Sequence, residues 1–204
     1  MVKTTLGKAT EHSVTLRCKV AVVGEAAVGK TALCQMFQSN GTLFPKNYKL
    51  TAGVDLITGS ITVPGSTTVV EQYLHDTGGQ AIFNDWAAKY WSDISIVMLV
   101  YDITRQETFS ALGQWLELVK AQRPDKDRPL MGVVVGNKKD LDIRRQVSTT
   151  QGEDWARGQG LDFVEVSAMP PTAKDYDTGF LCIAEKYAAF YEQQMKEMKR
   201  GFAN

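Results

Sequence analysis

Eight consecutive residues, Gly24-Glu25-Ala26-Ala27-Val28-Gly29-Lys30-Thr31, constrain this chain more than any other stretch. They fit G-x-x-x-x-G-K-[ST], a pattern that requires a strand entering it and a helix leaving it. The flanking residues agree. Leu16 to Val23 alternate and then turn wholly apolar, as a strand entering a core does. Ala32 to Phe37 read as the first turns of a helix with Leu33, Met36 and Phe37 inward.

Strand, glycine-rich loop and helix together make an anion site. Gly24 and Gly29 permit backbone angles that a Cβ resists, so neighbouring N–H groups turn toward one centre. The backbone of Glu25, Ala26, Ala27 and Val28, and of Ala32 at the helix start, belongs to that cradle. Lys30 supplies a full charge for β- and γ-phosphates, and Thr31 a hydroxyl for Mg²⁺.

A chain of 204 residues suits one domain with a real core. The 23 basic and 23 acidic residues balance, so no general pull toward nucleic acid or anionic membrane is expected. Cys18, Cys34 and Cys182 are scattered and odd in number, which fits a reducing, cytoplasmic compartment rather than a disulfide framework. No stretch has the ~18 apolar residues of a membrane span. The Met-Val start and the Gly-Phe-Ala-Asn end signal neither secretion, myristoylation nor prenylation, so no direct lipid anchor is expected.

Residues 1–13 are expected to form a mobile tail, 14–195 the folded domain and 196–204 a C-terminal tail. Ser39 to Thr51, with Asn40-Gly41, Pro45, Asn47 and Tyr48, reads as a long loop. Val54–Val63 and Thr68–His75 read as a hairpin about the turn Pro64-Gly65-Ser66-Thr67. A helix-like stretch is expected over 81–91, and a fully buried strand over 95–102. A helix follows over 106–122 with Phe109, Leu112, Leu116 and Val119 inward, then a buried strand over 130–135. A short helix (149–157), a last strand (162–166) and a final helix (178 to about 199) complete an α/β doubly wound sheet. Ligands in such sheets sit beyond the carboxyl ends of the strands, where Gly24, Asp76, Asn137 and Ser167 all fall.

Three further motifs share that edge. Thr51 closes the long loop 20 residues after Thr31, placed to bring a hydroxyl to Mg²⁺ and an N–H to a γ-phosphate. Asp76-Thr77-Gly78-Gly79 fits D-x-x-G: Asp76 is suited to hold Mg²⁺ through water, and the Gly79 N–H to meet the γ-phosphate. Gln80 is the residue type that orients an attacking water, whereas His75 reads as structural. Asn137-Lys138-Lys139-Asp140 fits N-K-x-D. The Asp140 carboxylate suits the N1–H and 2-amino donors of guanine, which adenine lacks, and the Lys138 stem suits the face of the base. The Ala168 N–H, in Ser167-Ala168-Met169, suits the guanine O6.

In this order and spacing the five elements resemble the Ras superfamily of small GTPases, over roughly Leu16 to Tyr191. The resemblance implies a small-GTPase fold: a mostly parallel sheet with one antiparallel hairpin strand and helices on both faces. It makes the Thr51 loop a first switch and the Asp76 segment a second, and places Phe44 edgewise on the base. Thr51-Ala52-Gly53-Val54-Asp55 and Tyr90-Trp91 resemble the Rab branch. Leu16–Glu25, Ala121–Leu130 and Ser167–Pro171 resemble the Rab-like GTPase subunits of the intraflagellar transport B complex. That likeness implies GTP/GDP and Mg²⁺ as ligands, a small β-sandwich subunit as partner within the B complex, and residence at the cilium or flagellum and its base. Alternatives are a subunit that holds nucleotide structurally without switching, and a conventional Rab of vesicle traffic.

Several residues depart from the family pattern. Met169 stands where lysine is usual, so one base-stacking stem is lost and weaker nucleotide binding is expected. Ala26 places a methyl near the γ-phosphate. Gly78 and Ala81 are expected to loosen the second switch. The resemblance implies slow GTP hydrolysis in which Lys30 neutralises charge and Gln80 positions water. No inserted domain separates the phosphate loop from Thr51 to carry an arginine in cis, so a rate near ~10⁻⁴ s⁻¹ is expected.

Overall fold

The computed structural model of the chain describes residues 13–47, 49–124, 130–170 and 175–201. Most of the expected N-terminal tail, Tyr48, the 125–129 segment, Pro171 and the last three residues lie outside the described residues.

Six strands form one sheet: β1 (Thr15–Val23), β2 (Val54–Thr62), β3 (Val69–Thr77), β4 (Ile96–Asp102), β5 (Met131–Asn137) and β6 (Asp162–Glu165). Their order is β2-β3-β1-β4-β5-β6. β2 runs antiparallel to β3, and every other pairing is parallel. The helices are α1 (Lys30–Gln38), α2 (Asn84–Ala87), α3 (Gln106–Ser110), α4 (Leu112–Gln122), α5 (Thr149–Gly158) and α6 (Thr178–Gly201).

The two-residue period of the central strands divides the core in two. From β1, Leu16, Cys18, Val20 and Val22 face one layer with Leu33, Phe37, Phe180 and Ile183 of α1 and α6. Ala21 and Val23 face the other, with Trp91 and with Trp115, Leu116 and Val119 of α4. β4 does the same, sending Ile96, Met98 and Val100 to the first layer and Val97, Leu99 and Tyr101 to the second. A strand covered on both faces has no need of polar alternation, which is why β4 reads as one apolar run. Each valine, leucine, isoleucine, phenylalanine or methionine side chain so taken from water contributes about 1.5–3 kcal/mol.

Two expected helices are interrupted. The 81–91 stretch is a 3₁₀ turn (Ala81–Phe83), the single turn α2 and a second 3₁₀ turn (Ala88–Tyr90). Only Ala87 and Trp91 of it are anchored deep in the core, and Ile82 stands almost fully exposed, so a long helix has little to pack on. The 106–122 stretch divides at Ala111, where ψ flattens to −12°. The division sets Phe109 edge-on to Tyr101 at 5.1 Å and near Trp155 at 6.2 Å, while Leu112, Trp115, Leu116 and Val119 are buried. At the C-terminus α6 continues to Gly201, past the domain end expected at 195. Its apolar face is core through Phe180, Ile183, Ala184 and Ala188, whereas Tyr191 is exposed.

The parallel strands all end at one edge. β1 lies between β3 and β4, where the chain changes side of the sheet, with Val22 beside Asp76 and Val23 beside Leu99. That switch point opens the crevice in which the motifs meet.

Candidate nucleotide site

Gly24 leaves β1 at φ +142°, and a Cβ there would lie 2.1 Å from the Val100 carbonyl oxygen, so only glycine passes. Gly29 enters α1 in the left-handed region. Ala27 also has a positive φ, +61°, which costs an L-residue roughly 1–2 kcal/mol. Strain of this kind persists only where neighbours enforce it.

Lys30 is buried and folds back over the loop, donating from Nζ to the Gly24 and Glu25 carbonyls at 2.7 and 2.8 Å. Burial lowers its pKa to about 8, partly offset by Asp76 and Glu25. The Thr31 hydroxyl donates to Asp76 Oδ2 at 2.6 Å and lies 2.9 Å from Thr51 Oγ1. Asp76 Oδ1 is buried without a hydrogen-bond partner. Burial pushes the Asp76 carboxyl up to about 6, against the pull of Thr31 and Lys30. Three hard oxygen donors converge, one carboxylate oxygen is orphaned, and the carboxyl is discouraged from ionising alone. Those features fit a small divalent cation such as Mg²⁺.

The second expected switch lies against the phosphate loop. A Cβ at Gly79 would come 2.4 Å from the Ala26 nitrogen. Gly78 is buried, donates its N–H to the Gly53 carbonyl at 2.7 Å, and has room for no Cβ because the Thr51 carbonyl would be 2.4 Å away. Gly78 thus brings the two switch segments into contact where looseness was expected, and the Trp86 ring covers Gly53 from outside. Gln80 is exposed at the start of the 3₁₀ turn and does not join Lys30 and Thr31. His75 is structural, with Nδ1 3.1 Å from the Tyr90 carbonyl and burial lowering its pKa.

The Asn137–Asp140 motif is assembled across the sheet edge. Asn137 is buried and donates from Nδ2 to the Val28 carbonyl at 2.7 Å, joining the N-K-x-D turn to the phosphate loop. Lys138 adopts φ +67° at the mouth of that turn. Asp140 is exposed, and its Oδ1 accepts the Ser167 hydroxyl at 2.6 Å. Ser167 Oγ in turn accepts the Met169 N–H at 3.1 Å, while Asp175 accepts the Ser167 N–H at 3.2 Å. Ala168 is buried, and Met169 is half-exposed. A cavity of about 280 Å³ is lined by Ala26, Ala27 and Gly29 to Ala32 of the loop, by Phe44, Thr51, Thr77 and Gly79, and by five residues the motifs do not indicate: Gln35, Pro45, Asn47, Lys49 and Leu50.

Sequence reasoning also missed residues that hold the loop from the side. Trp115 Nε1 donates to Glu25 Oε1 at 3.0 Å, and Arg105 Nη2 to the Ala26 carbonyl at 2.9 Å. Asp102, at the carboxyl end of β4, accepts from Arg105, Lys138 and Thr104. Its place beyond a strand end was a usable signal.

A Ras family model matches residues 19–189. Intraflagellar transport protein 27 of Chlamydomonas reinhardtii is 44% identical over 97% of this chain and 97% of its own length. The intraflagellar transport protein 27 homolog of Homo sapiens is 37% identical over 90% of this chain and 96% of its own. Ras-related protein Rab-28 of Caenorhabditis elegans is 36% identical over 83% of this chain and 65% of its own. The chain belongs to the Ras family.

Proposed function

We propose that this chain is a guanine-nucleotide-binding, Rab-like GTPase that serves as a subunit of the intraflagellar transport particle and hydrolyses GTP slowly with Mg²⁺. The observation that carries the nucleotide reading is the Asn137–Val28 hydrogen bond at 2.7 Å, which locks a guanine-selective turn to a phosphate loop. The transport reading rests on the names that relatives along the whole chain carry. On it, the partners are a small β-sandwich subunit and the B complex, and the place is the cilium or flagellum. The domain is taken as 14–195, with tails on either side.

In this reading the backbone from Gly24 to Ala32 wraps the phosphates, and Lys30 leaves the Gly24 and Glu25 carbonyls to face the β- and γ-oxygens. Thr31, Thr51 and Asp76 hold Mg²⁺, which supplies neutralising charge at the phosphates. The Gly79 N–H meets the γ-phosphate, and Gln80 turns inward from its exposed position to orient water. Asp140 accepts from guanine N1–H and the 2-amino group, the Ala168 N–H meets O6, and Phe44, Lys138 and Met169 surround the base. Asp140 is solvated in the open site, so its penalty against adenine is felt once the base covers it.

Single-turnover GTP hydrolysis tests the chemistry. The rate is expected on the order of 10⁻⁴ s⁻¹ with Mg²⁺, falling further in Gln80→Leu. A rate indifferent to that substitution contradicts the role given to Gln80. Partner capture by the GDP- and GTP-loaded chain tests the switch; equal affinities favour the subunit that holds nucleotide without switching.

A further inference from the structure

Asp102 ends β4 beside the phosphate loop and is 2% exposed. Its Oδ1 accepts from the Thr104 N–H at 2.9 Å and the Thr104 hydroxyl at 2.6 Å. Its Oδ2 accepts from Lys138 Nζ at 2.6 Å and Arg105 Nε at 3.2 Å. Burial pushes this carboxyl up, but the hydrogen bonds from Lys138 and Thr104 outweigh it and hold the group below its usual range. The same guanidinium extends Nη2 to the Ala26 carbonyl at 2.9 Å. One buried carboxylate therefore ties the lysine of the base-reading turn to a cation seated on the phosphate loop.

The fork matters. Nε and Nη2 are donors at a fixed separation in a rigid plane, so binding both acceptors fixes Ala26 relative to Asp102. Ala26 is also met from the other side, since Gly79 approaches so closely that a Cβ would lie 2.4 Å from the Ala26 nitrogen. The next residue, Ala27, holds a positive φ without being glycine, which requires such support. An ordinary surface pair has two solvated ends and contributes little. Here Arg105 is 36% exposed and lies 3.9 Å from the exposed Glu107 carboxylate, but its hydrogen-bond acceptors are a buried carboxylate and a backbone carbonyl of the strained turn.

We propose that Arg105, oriented by Asp102, is a positioning residue for the phosphate end of the site. It holds the Ala26–Ala27 turn with its N–H groups facing the phosphates and so tightens binding of nucleotides that carry a β-phosphate. The proposal rests on the guanine-nucleotide reading above.

Competition of GDP and of GMP against a fluorescent GDP analogue, on the full chain with Mg²⁺, tests it. Arg105→Ala is expected to weaken GDP about tenfold, the scale of one charge-assisted hydrogen bond. GMP lacks the β-phosphate that the turn wraps, and is expected to weaken less than about threefold. Arg105→Lys, whose single ammonium cannot bridge both acceptors, is expected to recover only part of the GDP affinity. Equal weakening of GDP and GMP, no weakening of GDP, or full recovery by lysine overturns the proposal. If Arg105→Ala does not fold, the lysine variant carries the same comparison, weakening GDP more than GMP. A wild-type chain that binds no GDP overturns the guanine-nucleotide reading itself, and the positioning role with it.

Discussion

Gly29→Ala probes the joint between the two halves of the site. Gly29 has φ +101° and ψ 18°, where an L-residue carries about 1–2 kcal/mol of strain. A Cβ there would lie 2.2 Å from Asn137 Nδ2, the atom that donates to the Val28 carbonyl at 2.7 Å. Asn137 is 1% exposed, so its amide has nowhere to retreat without leaving that carbonyl unpaired, at about 1–3 kcal/mol. The two effects together come to about 3 kcal/mol. For a chain of this size that is a fall of about 9 °C in Tm. Gly65→Ala is the control: its φ is +71°, but a Cβ there meets nothing within 4 Å, so only the strain remains. Urea and thermal unfolding of the nucleotide-free chain give both values. If Gly29→Ala costs no more than Gly65→Ala, the Asn137–Val28 joint does not hold the site together.

Gly78→Ala, which puts a methyl against the Thr51 carbonyl, is expected to break the Gly78–Gly53 hydrogen bond and speed amide exchange at Gly78 by tenfold or more, about 1.4 kcal/mol or above; unchanged exchange contradicts the close approach. Arg145→Ala removes the two guanidinium donors to the Glu165 carboxylate, at 2.6 and 2.9 Å, and leaves that 7% exposed group with the Thr149 hydroxyl at 3.2 Å. It is expected to cost about 2–3 kcal/mol in urea unfolding, and a loss under about 0.5 kcal/mol contradicts the pairing. Burial pushes the Cys18 thiol up to about 12, so its contribution is complete below the unfolded thiol's pKa near 9 and is lost as pH rises toward 12. Stability is therefore expected to fall more steeply between about pH 9 and about pH 10.5 in the wild type than in Cys18→Ala; parallel curves contradict the burial argument.

What was legible in the sequence was what depends on short spacing. Gly24 to Thr31, Asp76 to Gly79 and Asn137 to Asp140 are each defined by a few neighbours, and strand ends bring them to one edge of the sheet. The buried runs of β1, β4 and β5 were equally plain, because a sheet covered on both faces leaves apolar stretches. Residues that act across long separations were not legible. Trp115 reaches Glu25, and Arg105 reaches Ala26, only after α3 and α4 pack beside the loop. Gly78 read as a source of looseness, because flexibility is a local property and the nearness of Thr51 is not. The breaks at Ala111 and through 81–91 were hidden for a related reason: apolar spacing continues through them while packing does not support a continuous helix.

Titration of the nucleotide-stripped chain with GDP, GTP and ATP in the presence of Mg²⁺ tests whether the site holds and selects guanine nucleotides. GDP and GTP are expected to bind in the micromolar range, with Met169 in place of a stacking lysine, and ATP at least about 100-fold more weakly. Equal binding of ATP contradicts the role given to Asp140, and failure to bind either guanine nucleotide contradicts the site as a whole.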